Sequence, residues 1–187
     1  MEDPSDEALM LRYGEGDADA FEVLYHRHKD AVYRFVRRQC RDPENVRDLV
    51  QDIWGKLIRA RRRYRPDARF TTYLFTLARN RMIDHYRAEI GRRPAEAVRV
   101  DAVDVGEIPG RDEDAPDERA HLCALIRRSL TYVEALPPIQ REAVLLYVEG
   151  VSVPEIGEIT QVSVETARSR LRRALARLRQ DLKELAP

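Results

Sequence analysis

The chain has 187 residues, 43% hydrophobic and 35% charged, with 33 Lys and Arg offset by 33 Asp and Glu, enough for one domain or two small ones with their own cores. No run approaches the roughly 20 apolar residues of a membrane span, and the acidic opening "MEDPSDEALM" lacks the apolar stretch of a secretory signal. Two distant cysteines, Cys40 and Cys123, and four scattered histidines do not have zinc-site spacing, so reduced thiols in a cytoplasmic protein without metal or cofactor are expected.

Neutrality on average conceals charge blocks. Residues 1–22 hold eight acids and one arginine, whereas residues 56–93 hold twelve Lys and Arg against three acids. Residues 94–118 hold nine acids and two arginines, and residues 166–183 seven Lys and Arg against one acid. Two basic segments are thus separated by an acidic one, and the near-neutral pI says little about partners.

Helical periodicity dominates from the N-terminus onward and no strand alternation occurs, which predicts an all-α fold. In "GDADAFEVLYHRHKDAVYRFVRRQC" the apolar positions Phe21, Leu24, Tyr25, Val32, Phe35 and Val36 follow a potential cap at Asp17. A second helix is expected with Asp42 as cap and Pro43 at its first position, its buried stripe formed by Val46, Leu49, Val50, Ile53, Leu57 and Ile58. The pattern breaks at Pro66 within "RARRRYRPDARF" and resumes as "TTYLFTLARNRMIDHYRAEI", ending at Gly91. Residues 93–118 have linker composition, rich in acids, Pro and Gly. Helical signals return in "RAHLCALIRRSLTYVEAL", stop at Pro137-Pro138 and resume with "IQREAVLLYVEG". The expected organisation is a helical domain at 1–92, a flexible acidic linker at 93–118 and a smaller helical domain at 119–187.

"VSVPEIGEITQVSVETARSRLRRALARL" reads as a helix-turn-helix. Ser152 and Glu155 fit a capping box with Pro154 in the first turn, "TQVS" forms the turn, and Ser163 caps the second helix. There Val164, Ala167, Leu171, Ala174, Leu175 and Leu178 make the apolar stripe, while Glu165, Arg168, Ser169, Arg172 and Arg173 fall on or beside the opposite face. Such a helix suits a DNA major groove, because arginine pairs bidentately with guanine and arginine or serine holds phosphates. A solvated amphipathic face is the plainer alternative for this segment taken alone.

Two further clusters carry chemistry. Asp48, Gln51 and Asp52 share a face at i, i+3, i+4, able to accept hydrogen bonds from a basic partner. No His or Glu completes a metal ligand set there. "RARRRYRPDARFTTY" joins cations to aromatic rings, the combination that holds single-stranded DNA. For Phe70 and Tyr73 both base contact and core packing remain open, and Leu74 and Leu77 read as core. An enzyme built on Asp84-His85 is disfavoured, because adjacent helical side chains point about 100° apart and no nucleophile motif or phosphate-binding glycine loop accompanies them.

"DLVQDIWGKLIRARRRYRPDARFTTYLFTLARNRMIDHYR" resembles region two of bacterial RNA polymerase sigma factors, and "LPPIQREAVLLYVEGVSVPEIGEITQVSVETARSRLRRALARL" resembles their region four. The short chain, with only a linker where region three would lie, is similar to the extracytoplasmic-function (ECF) group of the sigma-70 family. The resemblance implies a non-enzymatic factor that binds core RNA polymerase through the beta-prime clamp helices and beta flap, directs initiation at promoter DNA, and is held by an anti-sigma factor. It implies that Asp48, Gln51 and Asp52 dock on the clamp helices, bordered by Trp54. It implies that the loop with Arg61, Arg62, Arg63, Tyr64, Arg65 and Arg69 captures a flipped base of the minus-ten element. Phe70, Thr72 and Tyr73 match the melting segment, Asn80, Ile83 and Asp84 the minus-ten face, and Arg79 and Arg87 its backbone contacts. Ser163, Glu165, Thr166, Arg168, Ser169, Arg172 and Arg173 match the minus-thirty-five reader, and the acidic linker matches a segment threaded through the polymerase cleft.

Two departures from the family pattern stand out. Thr76 and Leu77 occupy the positions of a tryptophan pair in housekeeping members, which leaves less apolar wedge to replace lost base stacking and implies dependence on near-consensus promoters. Gln161 stands where many members have glycine, and if that residue adopts positive φ the side chain costs about 1 kcal/mol.

Overall fold

The computed structural model describes residues 3–92, 124 and 130–183, and the described residues are helical with no strand among them. The expected linker 93–118 and Cys123 lie outside these residues.

The first helix, α1 (Asp6–Glu15), was not expected from periodicity. Ser5 caps it by accepting from the Ala8 N–H, and Gly16 ends it at φ 111, a left-handed conformation that glycine adopts without a Cβ penalty. Helix α2 (Ala18–Gln39) follows directly, with Asp17 accepting from the Ala20 N–H as its composition suggested. Helix α3 (Asn45–Ala60) starts two residues later than expected. Pro43 lies in the preceding turn instead of the helix, because Asp42 accepts from the Glu44 N–H and the Asn45 side chain and so winds a local turn first. A 3₁₀ turn at Arg61–Arg63 leads into an irregular stretch through Pro66. Helix α4 (Phe70–Arg92) is the long element carrying the melting-segment match.

These four helices build one core. Leu24, Phe35 and Val36 of α2 meet Leu49, Ile53 and Leu57 of α3 and Phe70, Leu74, Phe75 and Met82 of α4, all essentially buried. Phe35 and Phe75 lie edge to face at 5.2 Å, a preferred aromatic geometry. Leu9 and Met10 of α1 join them.

The C-terminal helices are α5 (Leu130–Ala135), α6 (Pro138–Val148), α7 (Val153–Thr160) and α8 (Val164–Lys183). Pro138 stands at the start of α6, where a missing N–H costs nothing. Helix α8 packs on α6 and α7 through Ala167, Leu171, Ala174, Leu175 and Leu178, five of the six stripe positions read from the sequence, with Val164 half-buried. At Gly157 a Cβ would stand 3.1 Å from the Val162 carbonyl oxygen, so the tight turn between α7 and α8 needs a small residue there. Gln161 adopts φ 58, ψ 44, the positive-φ conformation considered above.

The two helical groups also pack on each other, α4 against α7 and α2 against α5 and α6. Among the described residues, polar contacts to three carboxylates cross this junction. Arg34 donates to both carboxylate oxygens of Glu149 at 2.9 and 2.6 Å, Arg79 donates to Glu142 at 3.1 Å, and Thr72 donates to Glu155 at 3.0 Å with Arg69 3.7 Å away. In each, the N-terminal group supplies the donor and the C-terminal group the carboxylate.

Candidate nucleic-acid interface

Three surfaces emerge from these elements. The first is the exposed face of α3. The stripe that buries Val46, Leu49 and Ile53 turns Asp48, Gln51 and Asp52 outward together, and all three are exposed. Asp52 is partnered within the chain, accepting from Arg81 Nε at 2.8 Å. Trp54 does not share this exposure. It is buried, edge to face with Phe21 at 6.1 Å and with Tyr25 at 5.0 Å, because its position falls on the apolar side of α3.

The second surface is the basic loop and the start of α4. Arg62, Arg63, Arg65 and Arg69 are exposed, with Arg61 half-buried, so the loop presents cations to solvent. Its aromatic residues are inside. Tyr64 and Phe70 are buried and Tyr73 half-buried, with Tyr64 edge to face against Tyr73 at 5.2 Å and Phe70 at 6.3 Å. Burial pushes the Tyr64 hydroxyl up to about 12. The rings therefore brace the loop from beneath, and the loop's outward chemistry is cationic. Beyond it Asn80, Asp84 and Arg87 are exposed and Ile83 half-buried along α4. Asp84 lies 3.3 Å from Lys56. Thr76 donates to the Thr72 carbonyl at 2.8 Å, the bond of a satisfied helix hydroxyl and not of a wedge.

Thr72 and Arg79 are less accessible than the sequence reading required. Thr72 is buried beneath α7 through its bond to Glu155, and Arg79 is held by Glu142. Burial raises the Glu142 carboxyl above its ordinary value, against the pull of Arg79. For Glu155 burial also acts upward, but bonds from Ser152 and Thr72 and the charge of Arg69 outweigh it and leave the group lowered.

The third surface is the N-terminal half of α8. Glu155 accepts from both the backbone N–H and the hydroxyl of Ser152, which fixes the start of α7 as the capping pattern suggested. Ser163 accepts from the Thr166 N–H at 3.2 Å and starts α8. Facing away from the core, Ser163, Glu165 and Arg168 are exposed, and Thr166, Ser169, Arg172 and Arg173 are half-buried. A helix buried on one side and arginine-bearing near its N-terminus has the shape and charge for a major groove.

No group of three or more His, Cys, Asp or Glu side chains among the described residues has metal-binding geometry. No helix among them is long and apolar enough to cross a membrane.

Sequence reasoning missed α1 and the residues that tie it to the loop. Glu7 Oε1 accepts from the Phe70 N–H at 2.7 Å, and Asp6 lies 2.6 Å from both Arg27 and His28. Ser5, then two acids, then Leu9 and Met10 before Gly16, was the available signal.

Two family models and several known proteins match the chain. The family model described as Sigma-70 region 2 matches residues 24–90, and that described as Sigma-70, region 4 matches residues 127–178. Among curated relatives, the RNA polymerase sigma factor CarQ of Myxococcus xanthus is 37% identical over 94% of this chain and 97% of its own length. The ECF RNA polymerase sigma-E factor of Haemophilus influenzae is 31% identical, covering 91% of each chain. Among solved structures, CnrH in complex with the cytosolic domain of CnrY superposes with TM-score 0.67 at 25% identity, over 98% of this chain and 100% of that one. The sigma factor RpoE bound to the anti-sigma factor NepR from Bartonella quintana gives TM-score 0.64 at 21% identity, over 87% and 96%, and shares the fold.

Proposed function

Since the chain belongs to the sigma-70 family, in its ECF group, we propose that its three surfaces divide the work of promoter-specific initiation in the way the sequence suggested. The protein is a non-enzymatic initiation factor for RNA polymerase. In this reading residues 1–92 form the region-two domain, 93–118 the linker and 119–187 the region-four domain. Asp48, Gln51 and Asp52 dock on the polymerase clamp helices, the cationic loop and α4 face hold the unpaired minus-ten strand, and the α8 face enters the major groove at minus thirty-five. The polymerase, and hence the factor, works in the cytoplasm. An anti-sigma protein is the regulator this reading expects, as in the complex of RpoE with the anti-sigma factor NepR.

The mechanism follows from the charges. The loop arginines pair with phosphates, releasing counterions, while a displaced base finds a pocket at the loop. Arg69, Thr72 and Arg79 currently bind Glu155 and Glu142, so promoter engagement requires those carboxylates to leave and phosphate oxygens to replace them. Joining two modest DNA readers on one polymerase raises the effective concentration of each.

The observation that carries this reading is the exposed trio Asp48, Gln51 and Asp52 on a chain that also bears a capped, arginine-faced helix-turn-helix. The test is affinity for purified bacterial core RNA polymerase, wild type against Asp48→Ala/Gln51→Ala/Asp52→Ala. Tight wild-type binding and at least about a hundredfold loss in the variant are expected, the scale of two or three charge-assisted hydrogen bonds. Absence of binding by folded wild type would favour a free-standing helix-turn-helix regulator.

A further inference from the structure

The ten residues of α1 precede the segment matched by the region-two family model, yet they touch both ends of the cationic loop. At the loop's start, Gly14 lies against the Arg61 backbone, where a Cβ would stand 3.0 Å from the carbonyl oxygen. The Arg61 guanidinium lies over the Tyr13 ring, 5.6 Å from its centroid, and Tyr13 stacks on Phe21 at 4.8 Å. At the loop's end, the Glu7 carboxylate accepts the Phe70 N–H. That donor belongs to the first turn of α4, whose preceding residue, Arg69, has no side-chain acceptor to cap it. A carboxylate placed there also complements the helix dipole.

Glu7 and Gly14 are seven residues apart, so they share a face of α1 about 10.5 Å apart along its axis. The helix itself is anchored separately. Asp6 bonds Arg27 and His28 of α2, Arg27 also donates to the Pro4 carbonyl at 2.9 Å, and the His28 ring packs on Phe70 at 5.3 Å. One short rigid element thus sets the span between Arg61 and Phe70.

We propose that α1 is a positioning element for promoter recognition, with Gly14 and Tyr13 fixing the start of the Arg61–Arg69 loop and Glu7 fixing its end. The proposal rests on the reading of that loop as the minus-ten contact. Arginine phosphate contacts and a base pocket need a loop held in one shape, and this loop has no internal regular structure beyond its opening 3₁₀ turn.

The test uses the full chain and its holoenzyme with core RNA polymerase. Wild-type holoenzyme first selects promoter fragments from a random duplex pool. Glu7→Leu, Glu7→Gln and Gly14→Ala are then compared for backbone amide exchange over residues 64–70 and for holoenzyme affinity toward the single non-template strand of the selected fragment. Affinity for core polymerase and for the minus-thirty-five duplex serves as reference. Glu7→Leu, which loses one hydrogen bond to a charged group, and Gly14→Ala, which drives a Cβ against the Arg61 carbonyl, are expected to speed exchange and weaken single-strand binding by about tenfold, with both reference affinities within about twofold. Glu7→Gln, which keeps an acceptor, is expected to recover most of both. Gly14→Ala raises helix propensity, so lost function in a variant that folds as well as wild type separates positioning from stability. Unchanged exchange and single-strand binding, or an equal fall in the reference affinities, would overturn the proposal. Failure of wild-type holoenzyme to select any fragment would overturn the promoter reading itself, and this proposal with it.

Discussion

Tyr64 is 3% exposed and its hydroxyl has no hydrogen-bond partner among the described residues. A buried unpaired hydroxyl costs about 1–3 kcal/mol, so Tyr64→Phe is expected to leave stability unchanged or higher in urea unfolding, and to leave DNA affinity intact because the ring only braces the loop. A loss of single-strand affinity would show that the hydroxyl contacts DNA directly. Gln161 poses a similar local question. Its positive φ disfavours any side chain, and Gln161→Gly is expected to stabilise the fold by up to about 1 kcal/mol, seen as a higher urea midpoint. Glu7 adds a pH signature. The Phe70 N–H, opposed by burial, holds its carboxyl below the ordinary 4.5. A lowered acid contributes stability above its unfolded pKa and loses it as pH falls through the folded one. The gap in thermal midpoint between wild type and Glu7→Gln is therefore expected to be full above pH 4.5 and to shrink below it; a gap independent of pH would mean the charge has no part in the cap.

Elements were legible where their signals were local. The stripe of α3, the Ser152–Glu155 cap and the Ser163 start of α8 each lie within a few residues of sequence, and each formed as read, save for the Asp42 turn that delays α3. The family resemblance rested on those same elements. Helix α1 escaped because its apolar stripe is short and its contacts with Phe70 and Arg61 are distant in sequence. The burial of Trp54, read as bordering the acidic face, and of Phe70, left open between core and base contact, depends on partners on other helices, which spacing along one helix cannot show. At the start of α8, Ser163→Ala removes the bond to the Thr166 N–H and is expected to cost about 1 kcal/mol. The accompanying loss of minus-thirty-five duplex affinity, read by titration, should exceed any loss toward the minus-ten strand; equal losses would place the effect outside α8.

Across the whole molecule, Glu142 and Glu155 hold Arg79, Thr72 and Arg69, groups to which the proposed function gives promoter contacts, while Glu149 holds Arg34. No local pattern foretold these pairs, since their partners lie 63 to 115 residues away. Arg34–Glu149 combines bidentate geometry with a Glu149 side chain only 4% exposed, so it contributes more than an ordinary surface pair. Glu149→Gln/Glu155→Gln is expected to enlarge the radius of gyration of the free chain in X-ray scattering and to tighten its binding to single-stranded promoter DNA. An unchanged radius and affinity would mean that apolar contacts alone hold the two helical groups together.

Transcription from a defined template shows whether the chain directs initiation. Core RNA polymerase is incubated with the chain and a promoter fragment selected by their complex, and the 5′ ends of the transcripts are mapped. Transcripts are expected to start at one position downstream of a two-part element, to depend on the chain and to be abolished by Asp48→Ala/Gln51→Ala/Asp52→Ala. Transcripts that do not depend on the chain, or a chain that binds DNA specifically while ignoring core polymerase, would contradict that expectation.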